Sequence, residues 1–118
     1  MTDGRGRAAQ PEDLARFFVE RANAGDAEGI AALYEPDAIL AFPSGHVTVG
    51  QEAIRAAYEQ LLAPKPHFEP GEQLPALRRD DLALTSTRLA DGGATAEIAR
   101  RQLDGTWLWI LDRPNLLG

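Results

Sequence analysis

Cysteine is missing from this chain of 118 residues, and lysine occurs once, at Lys65. Without cysteine there is no disulfide, no thiolate nucleophile and no thiolate metal ligand. No stretch is apolar for long enough to cross a membrane, and the first ten residues lack the apolar centre of a secretory signal. We therefore expect a cytoplasmic protein.

Positive charge is also scarce, because the net charge is −6 and no run of basic residues occurs. An acidic surface repels phosphate backbones and anionic lipid headgroups, so nucleic acid and membranes are not expected as partners. The only histidines, His46 and His67, stand far apart, which predicts no metal site. Each follows a turn or a proline, and an exposed position is the simpler expectation than one facing a pocket. No glycine-rich phosphate-binding motif occurs, so no cofactor is expected.

The first half of the chain has the pattern of two short helices, a β-hairpin and a third helix. We expect a flexible N-terminal arm at residues 1–10 and one domain at residues 11–118. Pro11 begins the first helix, and Gly25 and Asp26 separate it from a second helix that carries Tyr34 and that Pro36 ends. The predicted strands are Ala38–Phe42 and His46–Val49, and Gly50 opens the third helix, whose apolar residues at helical spacing extend to Leu62.

The second half changes to the pattern of strands. Its predicted segments are an irregular edge strand at His67–Leu77, then Leu82–Leu89, Ala94–Leu103 and Thr106–Leu111. Helices followed by such strands predict an α+β fold, with a curved sheet wrapped around the helices and enclosing a pocket.

Asp104-Gly105 is the strongest hairpin signal, and a two-residue turn there pairs Arg101 with Leu108 and Glu97 with Asp112. One face of this hairpin then carries Glu97, Ala99, Arg101, Leu103, Leu108, Ile110 and Asp112, and the other carries Ile98, Arg100, Gln102, Trp107, Trp109 and Leu111. Three helices cannot cover both faces of the sheet. We therefore expect a homodimer through the outer face, anchored by Trp107 and Trp109, with burial of both tryptophans under the helices as the alternative.

The segments AGD, PDAILAFPSG, DLALTSTR, TAEIARRQ and DGTWLWILD, in this order, resemble the nuclear transport factor 2-like superfamily. The resemblance runs from about residue 12 to residue 114, and the chain is most similar to SnoaL-like and ketosteroid isomerase-like proteins. It implies a cystatin-like cone, in which a strongly bent mixed sheet holds three N-terminal helices around an apolar pocket, commonly as a dimer. Members include isomerases, polyketide cyclases, dehydratases, epoxide hydrolases and proteins without catalysis, so the resemblance does not name a reaction.

At the positions that match the isomerase's catalytic residues, this chain has residues of a different chemical type. Phe42 stands where the resemblance implies an aspartate base, Phe18 where it implies an oxyanion-binding tyrosine, and Ala99 where it implies a protonated acid. None of these side chains can move a proton or donate to an oxyanion. Together with Tyr58, Leu108 and Ile110 they predict an apolar ligand-binding wall.

Glu97, Arg101 and Asp112 are the candidate catalytic residues. Two carboxylates opposed across strands repel each other, which raises one pKa and can create an acid–base pair that a neighbouring arginine would moderate. The trio resembles, in residue type, what epoxide hydrolases of this superfamily use; the alternative is a salt-bridged rim. The functional hypotheses are a small hydrophobic-molecule-binding protein that acts as a cofactor-independent cyclase, hydrolase or dehydratase on a polyketide- or steroid-like substrate, a non-catalytic ligand-binding or accessory protein, and a dimeric interaction module.

Overall fold

The structure, a computed structural model, describes residues 6–116. Its three helices are α1 (Asp13–Asn23), α2 (Ala27–Ala31) and α3 (Gln51–Leu62). Gly25 adopts a φ of 69° between the first two helices, and the Asp26 side chain accepts a hydrogen bond from the backbone N–H of Gly29, as the sequence predicts for a helix cap. Gly50, at a φ of 93°, precedes α3. Among residues 6–116 no helix is both long and apolar enough to cross a membrane.

Eight strands complete the fold. They are β1 (Tyr34–Leu40), β2 (Thr48–Val49), β3 (Glu72–Gln73), β4 (Leu77–Arg79), β5 (Leu82–Thr85), β6 (Thr87–Arg88), β7 (Ala96–Arg101) and β8 (Trp107–Arg113). Six of them form one sheet in the order β2-β1-β8-β7-β5-β4, and β3 pairs with β6 separately. Strands β1 and β8 run parallel and the other pairs run antiparallel. The predicted α+β fold with a mixed sheet around three helices is confirmed.

The end of α2 differs from the prediction. The helix stops at Ala31, and Tyr34 is the first residue of β1, so Pro36 lies within a strand instead of ending a helix. Pairing with β8 shifts between Tyr34 and Ile39, and this irregular stretch accommodates a residue that cannot donate to a ladder. Tyr34 is therefore the buried first residue of a strand inside the sheet, where its side chain can belong to the site.

The β7–β8 hairpin does not have the predicted two-residue turn. Gln102 pairs with Thr106 around a three-residue loop that ends in Gly105 at a φ of 85°, and Arg101 therefore faces Trp107 instead of Leu108. A second one-residue shift follows between Ile98 and Ala99, where Ile110 is the extra residue. The two shifts cancel, so Glu97 still pairs with Asp112, as predicted.

The longer loop also places both tryptophans on the inner face of the sheet instead of the predicted outer face. Trp107 and Trp109 are buried, at 3% and 4% exposure, in one core with the fully buried Leu14, Ile30 and Ile54. The expectation that they lie on the outer face is wrong, and the alternative, burial under the helices, holds. The backbone N–H of Trp109 donates to the carbonyl of Leu33, which ties β8 to the chain entering β1.

The outer face of the sheet is nonetheless apolar. Paired residues form one row across all six strands, which we call the outer row: Val49, Ile39, Leu111, Ile98, Leu84 and Leu77. Five of its six side chains are among the exposed large hydrophobic residues of the described chain, and Ile98 is half-buried. Such a continuous apolar surface is typical of an interface.

Two residues in the described part of the predicted N-terminal arm contact the β7–β8 hairpin. Ala8 is buried, its carbonyl accepts from the backbone N–H of Trp107, and Arg7 pairs with Asp104 at 3.0 Å. Ala8 and Arg7 thus contact the folded domain, while residues 1–5 of the predicted arm lie outside the described residues.

Candidate functional site

A cavity of about 790 Å³ lies between α1, α3, the inner face of the sheet and the segment of residues 68–73. Its wall is predominantly apolar and aromatic, with residues that include Phe18, Val19, Phe42, Tyr58, Leu61, Phe68, Leu89 and Trp109. Glu97 and Asp112 also border it. A space of this size and composition suits a small hydrophobic molecule and offers two acids to it.

The aromatic wall is built around Tyr58 of α3. The Phe42 ring stacks on it at 5.9 Å between centroids with an interplanar angle of 8°, and Phe18 of α1 meets it edge-on at 5.7 Å. Phe68 lies edge-on to Phe18 at 5.9 Å. These contacts hold the rings in fixed orientations, so the apolar surface is formed before any ligand arrives.

The segment of residues 68–73 closes one side of the cavity. Asn23, at the end of α1, donates to the carbonyl of Phe68 at 2.9 Å and accepts from its N–H at 2.7 Å. Further along, Gly71 runs so close to β6 that a Cβ there would lie 2.5 Å from the carbonyl oxygen of Arg88. Only glycine permits this approach, which holds the segment against β6 beside the cavity.

Asp112 and Glu97 are direct cross-strand partners on the inner face, and both are buried, at 7% and 6% exposure. The Tyr34 hydroxyl lies 2.5 Å from Asp112 Oδ2 and donates to it when Asp112 is ionised, while Asp112 Oδ1 is buried without a hydrogen-bond partner. Burial, followed by the charge of neighbouring Glu97, raises the pKa of Asp112 to about 8, against the opposing effect of the hydrogen bond from Tyr34. Asp112 therefore holds its proton at neutral pH.

Glu97 has more support for its charged form. Thr85, on the adjacent strand β5, donates its hydroxyl to Glu97 Oε1 at 2.6 Å and is itself 2% exposed. Burial raises the pKa of Glu97, and the hydroxyls of Thr85 and Thr95 oppose that rise. With two hydroxyl donors against the single one on Asp112, Glu97 is the carboxyl that ionises first.

Two tyrosine hydroxyls extend the polar network. Tyr34 is fully buried, and its oxygen lies 3.2 Å from that of Tyr58. Burial, followed by the charge of Asp112, raises the pKa of both phenols above the ordinary tyrosine value. Both phenols therefore stay protonated across the working pH range, and each has one hydrogen to donate.

The structure brings together five of the nine residues proposed from the sequence. Phe18, Phe42, Tyr58, Glu97 and Asp112 all border the cavity. Ala99 is fully buried on the inner face, where it pairs with Trp109, and it does not border the cavity.

Arg101, Leu108 and Ile110 lie elsewhere. Arg101 is half-exposed near the hairpin loop and donates twice to Asp81, at 2.6 and 3.0 Å. Leu108 pairs with Arg100 and, by the alternation of the strand, lies on the opposite face from the two buried tryptophans. Ile110 occupies the bulge. The three-residue loop explains the position of Leu108, because it exchanges the two faces of β8 between the loop and the bulge. Arg101 keeps the face of Ala99 but lies at the loop end of β7, away from the cavity.

Sequence reasoning missed Tyr34, Thr85, Phe68 and Trp109. The sequence pattern predicts a helix face for Tyr34, and for Trp109 it leaves both the outer face of the sheet and burial under the helices open. The available signal for Tyr34 was its own neighbourhood, because Tyr34-Glu35-Pro36 contains a proline and cannot continue a helix. No signal in the sequence pairs Thr85 with Glu97 without the register of β5 on β7.

Both histidines are exposed. His67 lies 3.0 Å from Glu69, and His46 donates its backbone N–H to the carbonyl of Pro43 in the turn after β1. Within residues 6–116 no cluster of three or more histidine, aspartate or glutamate side chains is placed to hold a metal ion.

Comparison with known proteins gives one family and one curated relative. The family model of the SnoaL-like domain matches residues 14–111. The epoxide hydrolase LasB of Streptomyces lasalocidi is 34% identical over 77 residues, which cover 64% of this chain and 27% of that protein. The chain thus spans about a quarter of the length of the curated relative it matches.

Solved structures share the fold. A ketosteroid isomerase-like protein from Erwinia carotovora atroseptica superposes with a TM-score of 0.67 at 19% identity, over 86% of this chain and 89% of that one. A nuclear transport factor 2-like protein with a cystatin-like fold from Novosphingobium aromaticivorans gives a TM-score of 0.67 at 21% identity, over 90% and 79% of the two chains. At these identities the likeness concerns the fold alone.

Proposed function

We propose that this chain, which belongs to the SnoaL-like domain family of the nuclear transport factor 2-like superfamily, binds a small hydrophobic molecule and opens an epoxide on it without a cofactor. The observation that carries the proposal is the pair of buried carboxyls, Glu97 and Asp112, which meet at an apolar cavity and differ in proton affinity. The similarity to an epoxide hydrolase over 77 residues supports the same reaction class.

The chemistry follows from which carboxyl holds the proton. Glu97, ionised, takes a proton from an attacking water or hydroxyl as its oxygen bonds to an epoxide carbon. The carbon–oxygen bond of the ring breaks, and the epoxide oxygen receives the proton that Asp112 held. One proton has moved onto Glu97 and one has left Asp112, and exchange with solvent at the open end of the cavity restores both carboxyls.

Turnover of simple aromatic epoxides tests the proposal. Styrene oxide and trans-stilbene oxide are incubated with the protein in ¹⁸O-labelled water, and the diol is measured by mass spectrometry. Glu97→Gln and Asp112→Asn should each lower kcat at least about 100-fold, the lower end of the effect of a positioned acid or base. Arg101→Ala is the control, and its activity should be unchanged because Arg101 pairs with Asp81 away from the cavity.

The aromatic wall favours a second candidate, a binding protein without catalysis. Phe18 and Phe42 present apolar rings to the ligand, and ligand binding requires neither carboxyl. Under this alternative the wild-type protein binds aromatic molecules, measured by quenching of tryptophan fluorescence, without forming any diol. Glu97→Gln and Asp112→Asn then change the affinity by less than about tenfold, or about 1.4 kcal/mol.

A homodimer through the outer face is part of the proposal. The tryptophans cannot anchor it, because both are buried within one chain. The outer row supplies the apolar surface instead, with Leu111 and Ile39 near its centre and 46% and 40% exposed. A second copy of this chain can cover this face, because two identical apolar surfaces related by a twofold axis are self-complementary.

A further inference from the structure

Three polar groups form a continuous chain at the cavity. Asp112 Oδ2 is bonded to the Tyr34 hydroxyl, and that hydroxyl is bonded to the Tyr58 hydroxyl. Tyr34 does not border the cavity, whereas Tyr58 does. Tyr34 therefore links a buried acid to a phenol on the cavity wall.

Each phenol has a single hydrogen, and this fixes the direction of the whole chain. When Asp112 is ionised it only accepts, so the hydrogen of Tyr34 points to Oδ2. The Tyr34 oxygen can then only accept from Tyr58. Because Tyr58 donates its hydrogen to Tyr34, its oxygen can only accept a hydrogen bond from a ligand in the cavity.

A proton on Asp112 Oδ2 reverses every bond. Asp112 then donates to Tyr34, the hydrogen of Tyr34 turns to Tyr58, and the hydrogen of Tyr58 becomes free for a ligand. The two directions use the same three oxygens and the same contacts, so no side chain has to move.

We propose that Tyr58 is the group that donates to the ligand oxygen, and that the proton on Asp112, relayed by Tyr34, decides whether Tyr58 donates or accepts. The site then selects a ligand with an acceptor oxygen, such as an epoxide, ketone or ether, while Asp112 is protonated. Once Asp112 is ionised it selects a ligand with a donor, such as an alcohol. This inference rests on the proposed function in one respect, that the cavity holds a ligand.

The relay also supplies the proton of the ring-opening step. The epoxide oxygen takes the hydrogen of Tyr58, Tyr58 takes that of Tyr34, and Tyr34 takes that of Asp112, so three protons each move by one bond. Asp112 ends as a carboxylate and the chain ends in its accepting direction. The new alcohol can then donate to Tyr58, which holds the product only until Asp112 regains its proton.

The groups around Asp112 are few. Glu97 faces it from β7, Tyr34 from β1, and Tyr58 from α3, and these groups set the shifts described above. On α1 the titratable residues that border the cavity are Arg16 and Glu20, which lie 3.6 Å apart as an ion pair. Glu69, on the segment of residues 68–73, pairs with His67. Asp112 and Glu97 are thus the groups whose titration bears on the relay.

A bound ketone tests the direction of the relay without any turnover. The probe is 2-acetylnaphthalene labelled with ¹³C at its carbonyl, and infrared difference spectra are recorded from pH 6 to pH 10. In the wild-type protein the carbonyl band should lie at lower wavenumber below about pH 8, the pKa of Asp112, and return toward its unbonded position above it. The Kd should weaken about fivefold over the same range, the loss of one neutral hydrogen bond.

Two variants separate the relay from a direct effect of charge. Tyr58→Phe should remove the band shift at every pH. Tyr34→Phe should keep the shift but make it independent of pH, because Tyr58 no longer has to donate to Tyr34. Glu52→Gln, an exposed residue on the same helix α3, is the matched control and should behave as wild type.

Several outcomes overturn the relay. A carbonyl band of the wild-type protein that is unshifted or independent of pH would exclude the relay. This result is expected if the proton of Asp112 sits on Oδ1, because Tyr34 would then donate to Oδ2 at every pH. Failure of the ketone to bind would also exclude the relay. The wild-type measurement stands even if Tyr34→Phe does not fold. Epoxide turnover without a pH-dependent carbonyl band would support the proposed function and exclude the relay. A pH-dependent band without turnover would support the relay and exclude the proposed epoxide opening.

Discussion

Glu97 and Asp112 are directly opposed on neighbouring antiparallel strands, both buried, with no cation bonded to either carboxyl among the described residues. Two acids placed in this way cannot both be charged at low cost. Thr85 favours charge on Glu97, and the apolar surroundings keep Asp112 neutral. The pair is thus divided into a base and an acid by its neighbours.

The first prediction concerns stability and pH. The folded-state pKa of Asp112, about 8, lies above the ordinary value of 3.8, so between these values the folded protein binds more protons than the unfolded one. Its free energy of unfolding should therefore fall as pH rises from about 4 to about 8, by at most about 1.4 kcal/mol per pH unit for this group. Glu97, whose pKa is also raised, adds to the fall in the lower part of the window. Urea unfolding at pH 5, 7 and 9 measures the trend.

Asp112→Asn is the matched control for this prediction. The amide oxygen still accepts from Tyr34, but no charge forms at high pH, so the variant should show a flatter dependence and exceed the wild type in stability at pH 9. An unchanged slope in the variant would mean that Asp112 does not cause the pH dependence.

The second prediction concerns the cavity. Val19 borders it on α1, and Val19→Trp should fill part of the space and weaken binding of 2-acetylnaphthalene at least about tenfold, which equals about 1.4 kcal/mol. Val47→Trp introduces the same side chain at an exposed position, 66% accessible, and should leave the affinity unchanged. Isothermal titration calorimetry measures both, and equal affinities for the two variants would place the ligand elsewhere.

The third prediction concerns the corrected position of the tryptophans. Trp107 is 3% exposed and belongs to the core, so Trp107→Ala should lower the free energy of unfolding by about 3–5 kcal/mol. Denaturant unfolding gives the value. A loss below about 1 kcal/mol would contradict burial of this ring, because surface truncations usually fall in that range.

The fourth prediction concerns the outer row. Leu111→Asp places a charge near the centre of the row and should weaken a dimer at least about 100-fold, because the carboxylate would be buried without a partner. Leu103→Asp introduces the same charge at the fully exposed hairpin loop and should not affect the assembly. Sedimentation equilibrium measures both variants. A wild-type protein that is monomeric at all accessible concentrations would exclude the dimer.

Much of the fold could be predicted from the sequence because its local signals agree with the final structure. Asp26 caps α2 and the apolar residues of α3 recur at helical spacing, and neither feature depends on distant partners. The site was harder to predict, because it depends on register. Asp104-Gly105 suits a two-residue turn, but Gly105 at positive φ suits the observed three-residue loop equally well.

Glu97 and Asp112 were placed correctly although the hairpin around them was not. The bulge at Ile110 compensates for the one-residue shift that the longer loop causes. No residue type in the sequence predicts a bulge at this position. Tyr34 was missed for a related reason, since its role depends on the shifted pairing of β1 with β8. In this chain the sequence pattern predicts the secondary-structure elements well and the register between paired strands poorly.

The bulge at Ile110 also has a practical consequence for protein engineering. It separates the hairpin into a distal part, which carries the loop and Trp107, and a proximal part, which carries Glu97 and Asp112. Grafting a different peptide between Gln102 and Thr106 would leave the proximal half in place, so an affinity tag or a reporter inserted there should spare the chemistry at the base of the strands.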